Sequence, residues 1–122
     1  MGKKILVVDD SKTVRLQVGN LLSKSGYVMV EAEDGVDGIA KLKGNPDIVM
    51  VISDVNMPNM NGLQMVDAIK ADAAYAALPI VMLTTEASVE LLEKAKKAGV
   101  KGWLVKPFKP EQLSAAVTKL AG

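Results

Sequence analysis

Short apolar runs of strand length alternate along this chain with stretches whose apolar residues recur at helical spacing, and this alternation restricts the possible folds more than any other feature. Ile5 to Val8, Ile48 to Ile52 and Ile80 to Leu83 are continuously apolar, as expected of strands covered by helices on both faces. They predict central strands. Tyr27 to Ala32 and Gly102 to Val105 are more mixed or shorter, which suits sheet edges. Between the runs, Val14, Val18, Leu21 and Leu22 mark one helix face. Val36, Ile39 and Ala40 mark a second, and Leu63, Val66 and Ile69 a third. Val89, Leu92 and Ala95, then Leu113, Val117 and Leu120, mark the last two. Five such βα units predict an α/β fold around a parallel sheet.

Asn61 and Ser88 stand where N-caps belong, and Gly26 and Gly99 where helices should end. Asn45-Pro46 and Pro58-Asn59 punctuate the units as turns. No linker, repeat or low-complexity segment interrupts them, so residues 1–122 are expected to form one domain with no attached effector domain. Apolar residues at 49% and charged residues at 24% are near the globular average, which argues against disorder and fibrous repeats.

Ile48 to Ile52 falls far short of the roughly 20 apolar residues of a membrane helix. The four apolar residues after Lys4 are too few for a signal peptide. Cytoplasmic localisation without membrane insertion is expected. The chain has no Cys and no His, which removes disulfides, thiol nucleophiles, Cys-ligated zinc and the usual general base. Any chemistry must use carboxylates, hydroxyls and lysine. A formal net charge of +1, with no basic block and no interleaved aromatics, gives no footprint for nucleic acid.

Ligands of open α/β sheets bind beyond the carboxyl ends of the strands, so the residues closing each run carry the functional information. The first run ends in Asp9-Asp10, the third in Asp54, the fourth in Thr84-Thr85 and the fifth in Lys106-Pro107. Like charges about 4 Å apart repel by roughly 4 kcal/mol at an effective dielectric of about 20, so the clustered carboxylates call for a cation. Mg²⁺ suits an all-oxygen ligand set and keeps several of its waters. Together Mg²⁺ and Lys106 would balance the charge of Asp9, Asp10 and Asp54 and leave an ionised carboxylate as nucleophile. Such a site can draw in an anionic phosphodonor and hold the transferring oxygens in line. Asp54 would then become an acyl phosphate, with Thr84 and Lys106 placed to answer the added charge.

Each residue also has an ordinary reading. Asp9 or Asp10 could cap the first helix, and Asp54 could form an Asx turn before Pro58. The seven Met residues read as core fillers, and Lys94, Lys96 and Lys97 as a solvated helix face. What favours function is the convergence of Asp9, Asp10, Asp54, Thr84 and Lys106 at the ends of different predicted strands.

In order and spacing, the segments ILVVDDS, EAEDGVDG, VISDVNMPNMNG, LPIVMLTTEA and GWLVKPF closely resemble the receiver domains of bacterial two-component response regulators, in particular the single-domain chemotaxis type. The resemblance spans essentially the whole chain. It implies a doubly wound, flavodoxin-like (βα)5 sheet of strand order 2-1-3-4-5, an order that the periodicity alone does not supply. It implies that Asp54 is the phosphoacceptor for a histidine kinase, and that Asp10, Asp54 and the backbone carbonyl of Asn56 coordinate Mg²⁺, with Asp9 acting through water. Lys106 would pair with the phosphoryl group, across a cis Lys106-Pro107 peptide. Thr84 resembles the switch hydroxyl, and Trp103 stands at the position of the coupled switch aromatic. Asn56 and Glu86 match positions that influence acyl-phosphate hydrolysis, so a short phosphate lifetime is expected.

Trp103 replaces the Tyr usual in the chemotaxis subclass, and its bulk argues against complete inward burial. Val55 replaces a frequent Trp, which leaves Trp103 as the only intrinsic indole reporter. The resemblance implies a phosphoacceptor switch rather than an enzyme acting on external substrates. Its target would be a protein such as a flagellar motor switch component, a phosphatase could assist, and a monomer is expected. The lysines at 94, 97, 101, 106 and 109 suggest that the partner segment is acidic. Other readings are a phosphate shuttle or sink, a Mg²⁺-dependent phosphatase of the haloacid dehalogenase type and a flavodoxin-like binding module. Asn56 stands where the phosphatase would need a second Asp, and Asp9-Asp10 would repel a phosphate in the flavodoxin-like module.

Overall fold

The computed structural model describes residues 2–85 and 88–121. Side chains alternate along β1 (Lys4–Val8), so Ile5 and Val7 enter one core and Leu6 and Val8 the other. The same alternation runs through β3 (Ile48–Ser53), where Val51 and Met50 part, and through β4 (Ile80–Thr84), where Met82 and Val81 part. Burial on both faces explains why these three runs carry no polar alternation. They lie inside a five-stranded parallel sheet of order β2-β1-β3-β4-β5, with β2 (Val28–Ala32) and β5 (Gly102–Val105) at its edges. The expected α/β class, strand order and edge assignments all hold. β2 begins at Val28, one residue later than expected.

One face is covered by α1 (Lys12–Lys24) and α5 (Pro110–Ala121), whose Val18, Leu22, Leu113 and Val117 are buried. The other is covered by α2 (Gly35–Gly44) and α3 (Gly62–Lys70), through Leu42, Met65, Val66 and Ile69. α4 (Val89–Ala98) follows β4 and packs beside α3. Met50, Met65 and Met82 are fully buried, which agrees with their reading as core fillers.

Helix ends obey local chemistry. Asn61 and Gln64 form a reciprocal capping box at the start of α3, and the Ser88 side chain accepts the Leu91 amide at the start of α4. After α1, Gly26 takes φ +84°, and the amides of Gly26 and Tyr27 reach back to Ser23 and Leu22. After α4, Gly99 takes φ +98° and the pattern repeats from Gly99 and Val100 to Lys96 and Ala95. Both are left-handed terminations that glycine adopts without a Cβ penalty.

Lys70 ends α3 and organises the 3₁₀ turn Ala73–Tyr75, an element that the apolar pattern did not reveal. Its ammonium donates to the carbonyl oxygens of Tyr75 at 3.1 Å, Ala76 at 3.1 Å and Leu78 at 2.7 Å. Charge-assisted bonds of this kind are each stronger than neutral ones. Lys70→Met keeps the stem but deletes all three, and should cost about 2 kcal/mol, read as a lower urea midpoint at unchanged m-value.

Candidate functional site

The carboxyl end of the sheet gathers the residues singled out in the sequence. Parallel pairing places Val8 beside Ser53, so Asp9 and Asp54 leave neighbouring strands at the same level. Their backbones are anchored there: the Asp9 amide donates to Ala32 O at 3.1 Å and the Asp54 amide to Val8 O at 2.9 Å. Asp9 and Asp54 are 2% and 8% exposed, whereas Asp10 faces solvent. One oxygen from each of the three carboxylates falls within 4.8 Å of the others.

Lys106, immediately after β5, reaches into this cluster. Its Nζ donates to Asp9 Oδ2 at 2.7 Å and to Asp54 Oδ2 at 3.0 Å. Its own amide donates to Thr84 O at 2.8 Å, tying the lysine to the end of β4, where Thr84 is fully buried. The Lys106-Pro107 peptide is cis, as expected.

Burial pushes the Asp9 carboxyl above its ordinary range, and the opposing hydrogen bonds from Lys106 and the Ser11 amide do not cancel it. Burial alone would lower Lys106. Its hydrogen bonds to Asp9 and Asp54 outweigh that and hold the ammonium above its usual value.

Two ordinary readings are resolved by the geometry. Neither Asp9 nor Asp10 caps α1. Ser11 does, accepting the Val14 amide at 3.3 Å, while Asp9 Oδ1 accepts the Ser11 amide at 2.8 Å. The Asx interaction of Asp54 does exist, since its Oδ1 takes the Val55 amide at 2.6 Å and the Asn56 amide at 3.3 Å. It leaves Oδ2 facing Lys106, so turn formation and site chemistry coexist.

Asn56 is exposed at the start of the loop that leads from Asp54 to α3. Gly62 brings that loop back. Its amide donates to Val55 O at 2.8 Å, and a Cβ there would overlap the Asp54 carbonyl oxygen. Trp103 pairs with Met82 in the β4–β5 register and is only partly buried. It lines a cavity of ≈ 90 Å³ with Leu92, Ala95 and Val100 of the α4–β5 corner. Glu86 lies outside the described residues. Lys94, Lys97, Lys101 and Lys109 are exposed, but Lys106 turns inward to Asp9 and Asp54 and does not join them as a surface charge.

Residues given no site role in the sequence reading also support the site. Arg15 on α1 donates to the Asp9 carbonyl oxygen and pairs with Glu31 of β2 at 3.0 Å. Asp34 and Asn59 join two neighbouring loops at 2.7 Å. The Asp34 position at a strand-to-helix junction was the available signal for a cap; its contact with Asn59 had none.

A five-stranded 2-1-3-4-5 sheet carrying an acidic cluster and an opposed lysine at its carboxyl end defines a class of protein. The response regulator receiver domain family matches residues 5–118, and the chain belongs to that family. Within it, the chain is similar to the chemotaxis protein CheY1 of Helicobacter pylori, at 43% identity over 98% of this chain and 97% of the relative. It is 42% identical to a chemotaxis protein CheY homolog of Campylobacter jejuni, over 98% of this chain and 92% of that one. The structure of Vibrio cholerae CheY4 superposes with a TM-score of 0.91 at 41% identity, covering 98% of this chain and 99% of the other. The protein is a CheY-like response regulator receiver domain. No helix among the described residues is long and apolar enough to cross a membrane.

Proposed function

We propose that this receiver domain accepts a phosphoryl group on Asp54 from a histidine kinase, with Mg²⁺ bound, and thereby changes the α4-β5-α5 surface it offers to a target. The single observation that carries this reading is the cluster itself: Asp9, Asp10 and Asp54 within 4.8 Å, two of them bridged by Lys106. Hard carboxylate oxygens at this density fit Mg²⁺, with Asp10, Asp54 and the Asn56 carbonyl as direct ligands and Asp9 acting through water. When bound, Mg²⁺ would neutralise the carboxylates and orient the phosphoryl oxygens.

The protein's own groups do the rest. An electron pair of the Asp54 carboxylate forms the new O–P bond as the donor's bond to phosphorus breaks. Lys106 already sits 3.0 Å from Asp54 Oδ2 and can follow the charge onto the phosphoryl oxygens. Thr84, whose backbone carbonyl holds the Lys106 amide at 2.8 Å, would answer the added charge with its hydroxyl. Movement of Thr84 would free space next to the Met82–Trp103 pair and bias the α4–β5 corner between two packings. Asn56 and Glu86 are assigned to setting the rate of hydrolysis.

The named roles of the relatives favour an output in chemotaxis, such as binding a flagellar motor switch protein through an acidic segment that meets the exposed lysines. A phosphate sink would share the chemistry and lack the output partner. Hydrolysis of external esters is disfavoured by Asn56, which cannot act as the second acid/base.

Incubation with a small acyl-phosphate donor, followed by intact mass, tests the reading. One Mg²⁺-dependent phosphoryl adduct is expected, with complete loss in Asp54→Asn and a parallel change in Trp103 fluorescence in the unsubstituted chain. An adduct that persists in Asp54→Asn would move the acceptor elsewhere. No adduct under any condition would reduce the protein to a constitutive binding module.

A further inference from the structure

The loop after Asn56 is held in an unfavourable shape. The Met60 amide donates to Pro58 O at 2.7 Å across Asn59, whose φ is +65°. An i→i+2 bond across a positive-φ residue is the strained sense of the γ-turn. Among the described residues, Asn59 is the one non-glycine position with positive φ, and such a conformation persists only where its surroundings over-determine it.

Those surroundings come from the β2–α2 corner. Asp34 Oδ2 accepts Asn59 Nδ2 at 2.7 Å, while Asp34 Oδ1 caps α2 by accepting the Asp37 amide at 2.8 Å. Gly35 donates its amide to Met60 O at 3.0 Å, and a Cβ on Gly35 would crowd Met60. The Asp34 carboxyl is held below its ordinary range by the Asp37 amide first and Asn59 second, so it is the ionised form that makes both contacts. Downstream, Gly62 ties the loop back to Val55. Between these anchors only Asn56, Met57 and Pro58 remain to set the direction of the Asn56 carbonyl, and Pro58 restricts Met57 to extended conformations.

We infer that Asp34 is a positioning residue for the metal site: by latching Asn59 in its strained turn, it aims the Asn56 backbone carbonyl at the ion from 22 positions upstream in sequence. The inference rests on the proposed role of that carbonyl. Groups that orient metal ligands typically change affinity by about 10- to 100-fold when removed. The latch should therefore act on Mg²⁺ affinity and leave the intrinsic reactivity of Asp54 intact once metal saturates the site.

The alternative is that Asp34 does no more than cap α2. Asp34→Ser separates the two roles, because its single short hydroxyl can cap the helix but cannot also reach Asn59. MgCl₂ is titrated into ¹⁵N-labelled protein and followed through the amide shifts of Asp10 and Val55, alongside Mg²⁺-dependent adduct formation with an acyl-phosphate donor. For Asp34→Ser the expected result is a rise of about tenfold in the half-saturating Mg²⁺ concentration in both assays, with the adduct rate at saturating Mg²⁺ near that of the parent. Asn59→Ala should shift it similarly, and the double variant no further, because both substitutions delete one contact. Thermal unfolding of each variant checks that the fold survives. An unchanged half-saturation in Asp34→Ser, or additive shifts in the double variant, would overturn the latch. A parent protein whose amides do not respond to Mg²⁺ would instead remove the metal reading on which the latch depends.

Discussion

Gly62→Ala is expected to lower stability by about 3 kcal/mol and to disable the phosphoacceptor site at the same time. A Cβ at this position would overlap the Asp54 carbonyl oxygen and lie 2.8 Å from the Met82 terminal methyl. The methionine could swing aside, but the carbonyl belongs to backbone anchored through the Asp54 amide bond to Val8 O at 2.9 Å. Relief therefore requires the start of α3 to retreat, which breaks the 2.8 Å bond from the Gly62 amide to Val55 O and loosens the loop carrying Asn56. The cost is set near the upper end of the range for overpacking, because backbone yields less readily than side chains. Urea unfolding measures the first effect, and the yield of Mg²⁺-dependent adduct the second. Parent-like stability with a parent-like adduct would show that α3 can shift without consequence.

Lys106→Met should destabilise the metal-free protein by roughly 2 kcal/mol at neutral pH. Breaking a buried ion pair from one side typically costs about 3–5 kcal/mol, and the figure is reduced because this site opens to water on the side of exposed Asp10. The loss arises at Asp9 and Asp54, which lie 2.7 and 3.0 Å from the ammonium and would lose its compensating charge. Its pH dependence follows from Asp9, whose carboxyl is already held above 3.8 by burial with Lys106 present. A carboxyl whose folded-state pKa exceeds its unfolded value favours the fold when protonated and loses that contribution as pH rises through the folded value. Removing Lys106 raises the folded value further. The difference between parent and variant should therefore shrink as pH falls from neutrality towards 3.8. Mg²⁺ should restore part of the loss by mass action. Denaturation series with and without MgCl₂ check both points; a penalty independent of pH and of Mg²⁺ would place its origin in packing of the lysine stem.

The behaviour of Lys106 marks a boundary in what the chain reveals. As a residue closing a predicted strand, it was recognisable as a partner for the acidic cluster. That it bridges Asp9 and Asp54 specifically, and so leaves the exposed basic surface, follows from the depth to which β5 carries it. Ser11 presents the same contrast. The acidic pair before it concealed an ordinary N-cap, because Asp and Ser are both good at capping and only backbone geometry decides which one serves.

Local order determined the α/β class, the central and edge strands, the helix ends at Gly26, Asn61, Ser88 and Gly99 and the residues that close the strands, since burial on both faces and cap chemistry write themselves into neighbouring positions. The resemblance of the motifs added the strand order. The particular contacts of loops and helix ends were decided only by tertiary structure. Lys70 gathering three carbonyls beyond its helix, Gly62 backing onto Asp54, and Asp34 holding Asn59 in a positive-φ turn leave no periodic trace. Each depends on how the packed sheet and helices direct the chain between elements, and no hydrophobic pattern within those segments records where it goes.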